Sequence, residues 1–175
     1  VVVDEAYIDF SNQKSLATEV KQHPNLVVLQ TLSKAFGLAG IRLGLAIAQP
    51  DIIQLMMKVK APYNVNALTS QAALNAFNHL DTVDTNKTVL LKERDRVINQ
   101  LKTFPELEFI YPSDANFILF RVKNAKTIYQ ELARHHVIVR YRGNEPLCED
   151  TLRLTIGTEA ENDQFFNALS IALGS

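Results

Sequence analysis

Two apolar runs, Leu26-Val27-Val28-Leu29 and Leu45-Ala46-Ile47-Ala48, bracket the segment Thr31–Gly44, which holds three glycines, one lysine and one arginine among small and apolar residues. Short apolar runs bounded by turn residues read as buried strands. A third run, Val1-Val2-Val3, is β-branched throughout, as a central strand of a parallel sheet would be. The chain is thereby expected to be α/β, with Thr31–Gly44 as a loop at the strand ends. Lys34 sits in that loop among uncharged neighbours. Loss of hydration disfavours its ammonium form and favours nucleophilic use, such as Schiff-base formation with a carbonyl. A lone lysine of this kind is more often a surface residue in a tight turn. Arg42, eight residues on, adds a fixed cation suited to a phosphate.

The turn reading is weakened by Asp4-Glu5-Ala6-Tyr7, which follows the first strand-like run. Asp4 falls where that strand ends, at the edge where open α/β sheets bind ligands. A carboxylate there can hold magnesium beside a nucleotide, or it can pair with the protonated pyridine nitrogen of pyridoxal phosphate (PLP). The nucleotide reading requires a loop of the form G-x-x-x-x-G-K-[ST], and none of the six glycines precedes a lysine. PLP is the better match to Asp4 and Lys34 together.

These residues carry a family resemblance. Asp4-Glu5-Ala6-Tyr7 and Ser33-Lys34-Ala35-Phe36-Gly37-Leu38-Ala39-Gly40-Ile41-Arg42-Leu43-Gly44 are similar to the cofactor motifs of fold-type I PLP aminotransferases. Pro62-Tyr63-Asn64-Val65-Asn66, Ala115-Asn116-Phe117 and Leu152-Arg153-Leu154-Thr155-Ile156-Gly157-Thr158 resemble the histidinol-phosphate aminotransferase branch. The resemblance implies that Lys34 bonds the cofactor and shuttles a proton, that Asp4 holds the pyridine nitrogen and that Tyr7 donates to the phenolic oxygen. Ser33 and Arg42 would bind the cofactor phosphate. Arg153 and Arg140 would meet a substrate phosphate, with Arg142 competing for the second place. Asn116 is either a site residue or a satisfier of local backbone groups.

The same resemblance implies a fold: part of a fold-type I large domain over residues 1–81 and a smaller C-terminal α/β domain over 82–175. The chain opens on Val1, inside a strand-like run, and resembles the C-terminal half of longer family members. On its own it is expected to be inactive, because the family's phosphate turn and its ring-stacking aromatic residue belong to the other half. The implied reaction converts L-histidinol phosphate and 2-oxoglutarate to imidazole-acetol phosphate and glutamate, a step of histidine biosynthesis. An aromatic amino-acid aminotransferase, a threonine-phosphate decarboxylase and a PLP-binding regulatory module are the alternatives. A homodimer is implied, with residues 58–66 approaching the partner, though a plain loop between two helices accounts for that segment equally well.

Composition limits other readings. Eighteen basic residues against nineteen acidic ones give a net charge of −1, which supplies no basic field for nucleic acid or a membrane surface. No apolar run approaches the roughly 20 residues of a membrane span. Cys148 is the sole cysteine, so no internal disulfide forms, and a reduced, cytoplasmic setting is expected. Cys148 stands beside Glu149 and Asp150, which disfavour a thiolate. His135-His136 lack partners at metal-ligand spacing, so no metal site is expected.

Further along, helices are expected over 51–60, after Pro50, and over 67–80 and 83–101, with Glu93-Arg94-Asp95-Arg96 as a solvated face. Strands and helices then alternate: 107–111, 117–122, 128–134, 137–140, 152–156 and 159–173.

Overall fold

The computed structural model describes residues 1–174, which divide into two compact units, one over Val1–Lys87 and one from Thr88 onward. In the first unit, β1 (Val2–Asp4) pairs in parallel with β2 (Val27–Thr31), and β2 pairs antiparallel with β3 (Gly44–Ala48). The β1 register sets Val2 against Val27 and Asp4 against Leu29. Among the described residues β1 is an outer strand of this three-stranded sheet, not the central one its β-branched run suggests. Val28 is fully buried and packs with Val20 and Leu26 against Val3, Ala17 and Ile47.

Helix α1 (Pro50–Val59) starts with Pro50 in its first turn, where a missing N–H is harmless. Asp51 in that turn and Lys58 in the last suit the helix dipole. Asn66 caps α2 (Ala67–Phe77) by accepting the Thr69 N–H at 2.9 Å. The helix expected over 67–80 ends earlier, at Phe77, and a separate α3 (Leu80–Leu101) follows. The division between the units falls inside α3, a few residues beyond the break expected at 82.

The second unit holds a four-stranded antiparallel sheet in the order β4-β5-β7-β6, formed by β4 (Leu107–Ile110), β5 (Phe117–Val122), β6 (Arg140–Tyr141) and β7 (Thr151–Thr155). Helix α4 (Ala125–Arg134) joins β5 to β6, and α5 (Glu159–Leu173) closes the chain. Alternation along β5 buries Ile118, Phe120 and Val122. They pack with Val97 and Leu101 of α3, Ile128 and Leu132 of α4, Leu152 and Leu154 of β7, and Phe165 and Leu169 of α5. The opposite side of β5 shows Phe117, Leu119 and Arg121. Val137–Val139, expected as a strand, does not pair; pairing begins only at Arg140. Among the described residues no helix is long and apolar enough to cross a membrane.

The run Glu93–Arg96 corrects the expectation of a solvated face. Glu93 is 6% exposed. It accepts the Arg96 guanidinium at 2.8–3.1 Å and the Asn162 side-chain amide at 2.9 Å. Asn162 also bonds both backbone groups of Gly157 at 3.1 Å, so the network joins α3 to the β7–α5 turn. Arg94 donates to the Ala115 carbonyl at 3.0 Å. The sequence shows four charges in a row but not that one of them turns inward.

Arg96, by its hydrogen bonds, holds the Glu93 carboxyl below its ordinary value against the opposing effect of burial. The stabilisation is therefore complete above the ordinary value of 4.5 and is lost as pH falls through the lower folded value. Glu93→Ala should cost about 2 kcal/mol at neutral pH, between the exposed-pair and buried-pair limits because Arg96 is partly exposed. Urea unfolding should show this difference at pH 7 and a smaller one near pH 3; equal differences at both would contradict it.

Candidate active site

In the first unit, Lys34 and Arg42 lie in one loop whose two ends are tied together. Thr31 faces Gly44 in the β2–β3 register. Just beyond, the Leu32 N–H and the Thr31 hydroxyl both donate to the Leu43 carbonyl, at 3.4 and 3.3 Å. Inside the loop, the Leu38 N–H donates to the Leu32 carbonyl and the Gly37 N–H to the Lys34 carbonyl, both at 3.0 Å. Gly37 has φ +68°, a left-handed conformation natural for glycine. Arg42 has φ 55°, an uncommon state for a residue with a side chain, and its Nη1 donates back to the Ala39 carbonyl at 3.0 Å.

β1 delivers its residues beside this loop. Asp4 ends the strand, is exposed, and accepts the Ala6 N–H on Oδ1 at 2.9 Å, which turns the chain. Tyr7 follows, and Lys34 Nζ lies 5.1 Å from the centroid of its ring. That contact brings the Asp4–Tyr7 turn and the lysine loop together. Lys34 is half-buried, less dehydrated than its uncharged neighbours suggest. The Ser33 N–H donates to Thr31 Oγ1 at 3.0 Å.

In the second unit, Arg140 and Arg153 are direct cross-strand partners in the β6–β7 register. Like charges facing each other in a sheet are unfavourable unless an anion or an aromatic face relieves them. Arg153 has its guanidinium 5.0 Å from the centroid of the Phe117 ring, and its Nε is buried without a hydrogen-bond partner. Arg140 is exposed. Arg142 is different: its guanidinium lies 3.6 Å from Glu145. Asn116 is half-buried, and its backbone carbonyl accepts the Ile156 N–H at 2.9 Å.

Sequence reading missed three residues. Phe117 under Arg153 becomes visible only once β5 and β7 are paired. Glu5 is 7% exposed and bound by three neutral donors; its position after Asp4 was the only signal. Glu131, 3.6 Å from His135, is an acidic neighbour also not anticipated. Among the described residues, no group of three metal-ligating side chains gathers.

The chain matches the family described as aminotransferase class I and II over residues 1–169. A histidinol-phosphate aminotransferase of Cytophaga hutchinsonii is 47% identical over 169 residues, covering 97% of this chain and 49% of that protein. The crystal structure of histidinol-phosphate aminotransferase from Sinorhizobium meliloti in complex with pyridoxal-5'-phosphate superposes with a TM-score of 0.87 at 26% identity, covering 99% of this chain and 48% of that one. The L-threonine-O-3-phosphate decarboxylase structure from Porphyromonas gingivalis superposes with a TM-score of 0.88 at 26% identity, covering 99% and 55%. The chain spans about half the length of the curated relatives it matches.

The Thr31 hydroxyl serves both ends of the lysine loop, so Thr31→Val should release them at nearly constant volume. The expected loss is about 1–2 kcal/mol of unfolding free energy, the sum of two modest hydrogen bonds. Amide exchange at Ser33 should quicken as well; unchanged exchange there would show that the hydroxyl does not hold the loop.

Proposed function

The chain belongs to the class I and II aminotransferase family, and from that premise we propose that it forms the lysine-bearing part of an enzyme transferring the amino group of L-histidinol phosphate to 2-oxoglutarate. The products are imidazole-acetol phosphate and glutamate. Its α/β fold is that of the fold-type I enzymes. The observation that carries the substrate assignment is the 47% identity to a histidinol-phosphate aminotransferase across nearly the whole chain. The facing Arg140 and Arg153 agree with it: two cations directly opposed across a sheet suit a doubly charged phosphate.

The residues of the first unit fit PLP by their donor chemistry. Asp4 has one carboxylate oxygen engaged by the Ala6 N–H and remains exposed at the strand end. Arg42 uses one of its N–H donors on Ala39, leaving others for a phosphate. Ser33 adds a hydroxyl, Tyr7 a phenol and Lys34 a primary amine. When bound, PLP supplies an electron sink that spreads the negative charge left on a substrate carbon after its proton is removed.

Each residue then has a task. Asp4, as a carboxylate, keeps the ring nitrogen protonated. Lys34 would hold the cofactor through its amine, and its Nζ, when free, would take the proton from the substrate carbon and return it at a different position. Tyr7 donates its hydroxyl to the phenolic oxygen and, through its ring, keeps the lysine close. Ser33 and Arg42 anchor the cofactor phosphate. Arg153, backed by Phe117, is the main grip on the substrate phosphate, and Arg140 is the second. Asn116, whose backbone carbonyl accepts the Ile156 N–H just past β7, would be a further substrate contact. A homodimer in the cytoplasm is the setting this reading implies, with Lys58–Asn66 toward the partner subunit.

A phosphothreonine decarboxylase is the second reading, since the solved decarboxylase superposes as well as the aminotransferase does. Product analysis separates the two: amino transfer consumes 2-oxoglutarate, whereas decarboxylation releases carbon dioxide without it.

Two outcomes test the proposal in the full-length protein. Lys34→Ala should abolish both transamination and the borohydride-reducible bond to PLP. Retention of that bond would remove Lys34 from its role.

Arg153→Leu should lower kcat/KM for histidinol phosphate roughly 30- to 5,000-fold, from the ~2–5 kcal/mol lost with one partner of a charged contact. Arg140→Leu should have a smaller effect in the same direction, and PLP titration should be unchanged in both variants. Equal losses for histidinol phosphate and phenylalanine would take phosphate recognition away from these arginines and favour an aromatic aminotransferase.

A further inference from the structure

Glu5 is a carboxylate set deep at the end of β1 between the two residues assigned to the cofactor ring. Its Oε2 accepts the Ser15 hydroxyl at 2.6 Å and the Gln30 side-chain amide at 3.0 Å, and its Oε1 accepts the Leu16 N–H at 2.7 Å. The Gln30 amide also donates to Ser15 Oγ at 3.0 Å, which closes a ring of contacts. The backbone of Glu5 is pinned too: its N–H donates to the Leu29 carbonyl at 2.8 Å, and its carbonyl accepts the Ile8 N–H at 3.1 Å. One side chain thus joins three segments: the Asp4–Tyr7 turn, the 3-10 turn Leu16–Glu19, and β2 just ahead of Thr31.

A buried carboxylate held only by neutral donors is an expensive way to fasten a turn if fastening is all it does. Burial pushes its protonation equilibrium up, and the hydrogen bonds from Ser15, Gln30 and Leu16 outweigh that, so it stays ionised below the ordinary carboxylate range. An apolar side chain of similar size would fill the space without that cost. What the apolar side chain could not do is fix direction. Three donors arriving from two elements leave the carboxylate a single orientation, and Asp4 and Ala6 are its covalent neighbours. Thr31, next to Gln30, in turn holds Ser33 beside Lys34.

We propose that Glu5 is a positioning residue, whose carboxylate sets the angle at which Asp4 and Tyr7 meet the PLP ring relative to Lys34. The proposal rests on the aminotransferase reading and goes beyond it, because that reading gives Glu5 no contact with cofactor or substrate. Its consequence is specific. Turning the ring of contacts should change how firmly the ring nitrogen is held while the apo protein remains folded.

The test uses the full-length protein, freed of PLP and titrated with it. Glu5→Gln offers one acceptor oxygen to three donors and points an amide at one of them. PLP affinity should fall about tenfold or more, on the scale of a charged hydrogen bond left unmade. The pH midpoint of the visible absorbance of bound PLP should also move, which a purely structural role would leave in place. Ser15→Ala removes one of the three donors and should give the same two changes at about two- to fivefold in affinity. Glu5→Asp, which keeps the charge but shortens the reach, should restore neither fully. Wild-type affinity and an unmoved midpoint in Glu5→Gln, with only a lower melting temperature of the apo protein, would overturn the proposal. If Glu5→Gln does not fold, wild-type behaviour in Ser15→Ala overturns it instead. A wild-type protein that does not bind PLP would bring down the aminotransferase reading itself, an outcome distinct from either variant's result.

Discussion

The parallel register of β1 against β2 is the constraint on which the meeting of the Asp4–Tyr7 turn and the lysine loop depends. Strand pairing fixes position to one residue, because a slip by one turns every side chain to the other face. With Asp4 set against Leu29, the strand ends a short step before β2 gives way to the lysine loop. The Glu5 N–H continues the ladder onto Leu29, and the Glu5 carboxylate locks it from the side. The contact of Lys34 with Tyr7 follows from that alignment. Parallel neighbours cannot be joined by a tight hairpin, and the chain between them folds into the 3-10 turns whose Ser15 and Leu16 close over Glu5.

The second unit uses the opposite economy. Its antiparallel sheet spends one face on the core, where Ile118, Phe120 and Leu152 are fully buried. The other face carries Phe117, Leu119 and Arg121 on β5 and Arg153 on β7. Placing Arg140 opposite Arg153 stores repulsion in the sheet that a bound anion would relieve. The Phe117 ring beneath Arg153 offsets part of it without supplying a counter-charge. Stability of this unit comes from elsewhere, from the packed core and from the Glu93–Arg96–Asn162 network that ties α3 to the turn after β7. The core and the face that bears Arg153 are thus separated by the thickness of one sheet.

The helices of the first unit show a surface of another kind. In α1 and α2, Leu55, Met57, Val59, Leu68 and Leu74 are all more than half exposed, and Tyr63 in the connecting loop is 97% exposed. So many large apolar side chains left exposed on two consecutive helices and their connection are uncommon on a surface that faces only water. It accords with a chain that spans about half the length of its relatives.

Local pattern was enough to set the three apolar runs into β1, β2 and β3, to place α1 within a residue of its observed start and to set β5 over 117–122. It also singled out Lys34, Asp4 and Arg42, because a cation or carboxylate at the edge of an apolar run is unusual in itself. Period and composition tell which face a residue takes, not which residue it meets across a sheet or between helices. For that reason the facing of Arg140 and Arg153, the Phe117 ring under Arg153 and the inward turn of Glu93 were decided only by the tertiary structure. Val137–Val139 shows the same limit: it has strand composition, yet β7 offers it no partner until Arg140. Glu5 is the sharpest instance, an acidic residue beside another acidic residue in sequence, whose burial depends on donors 10, 11 and 25 positions away.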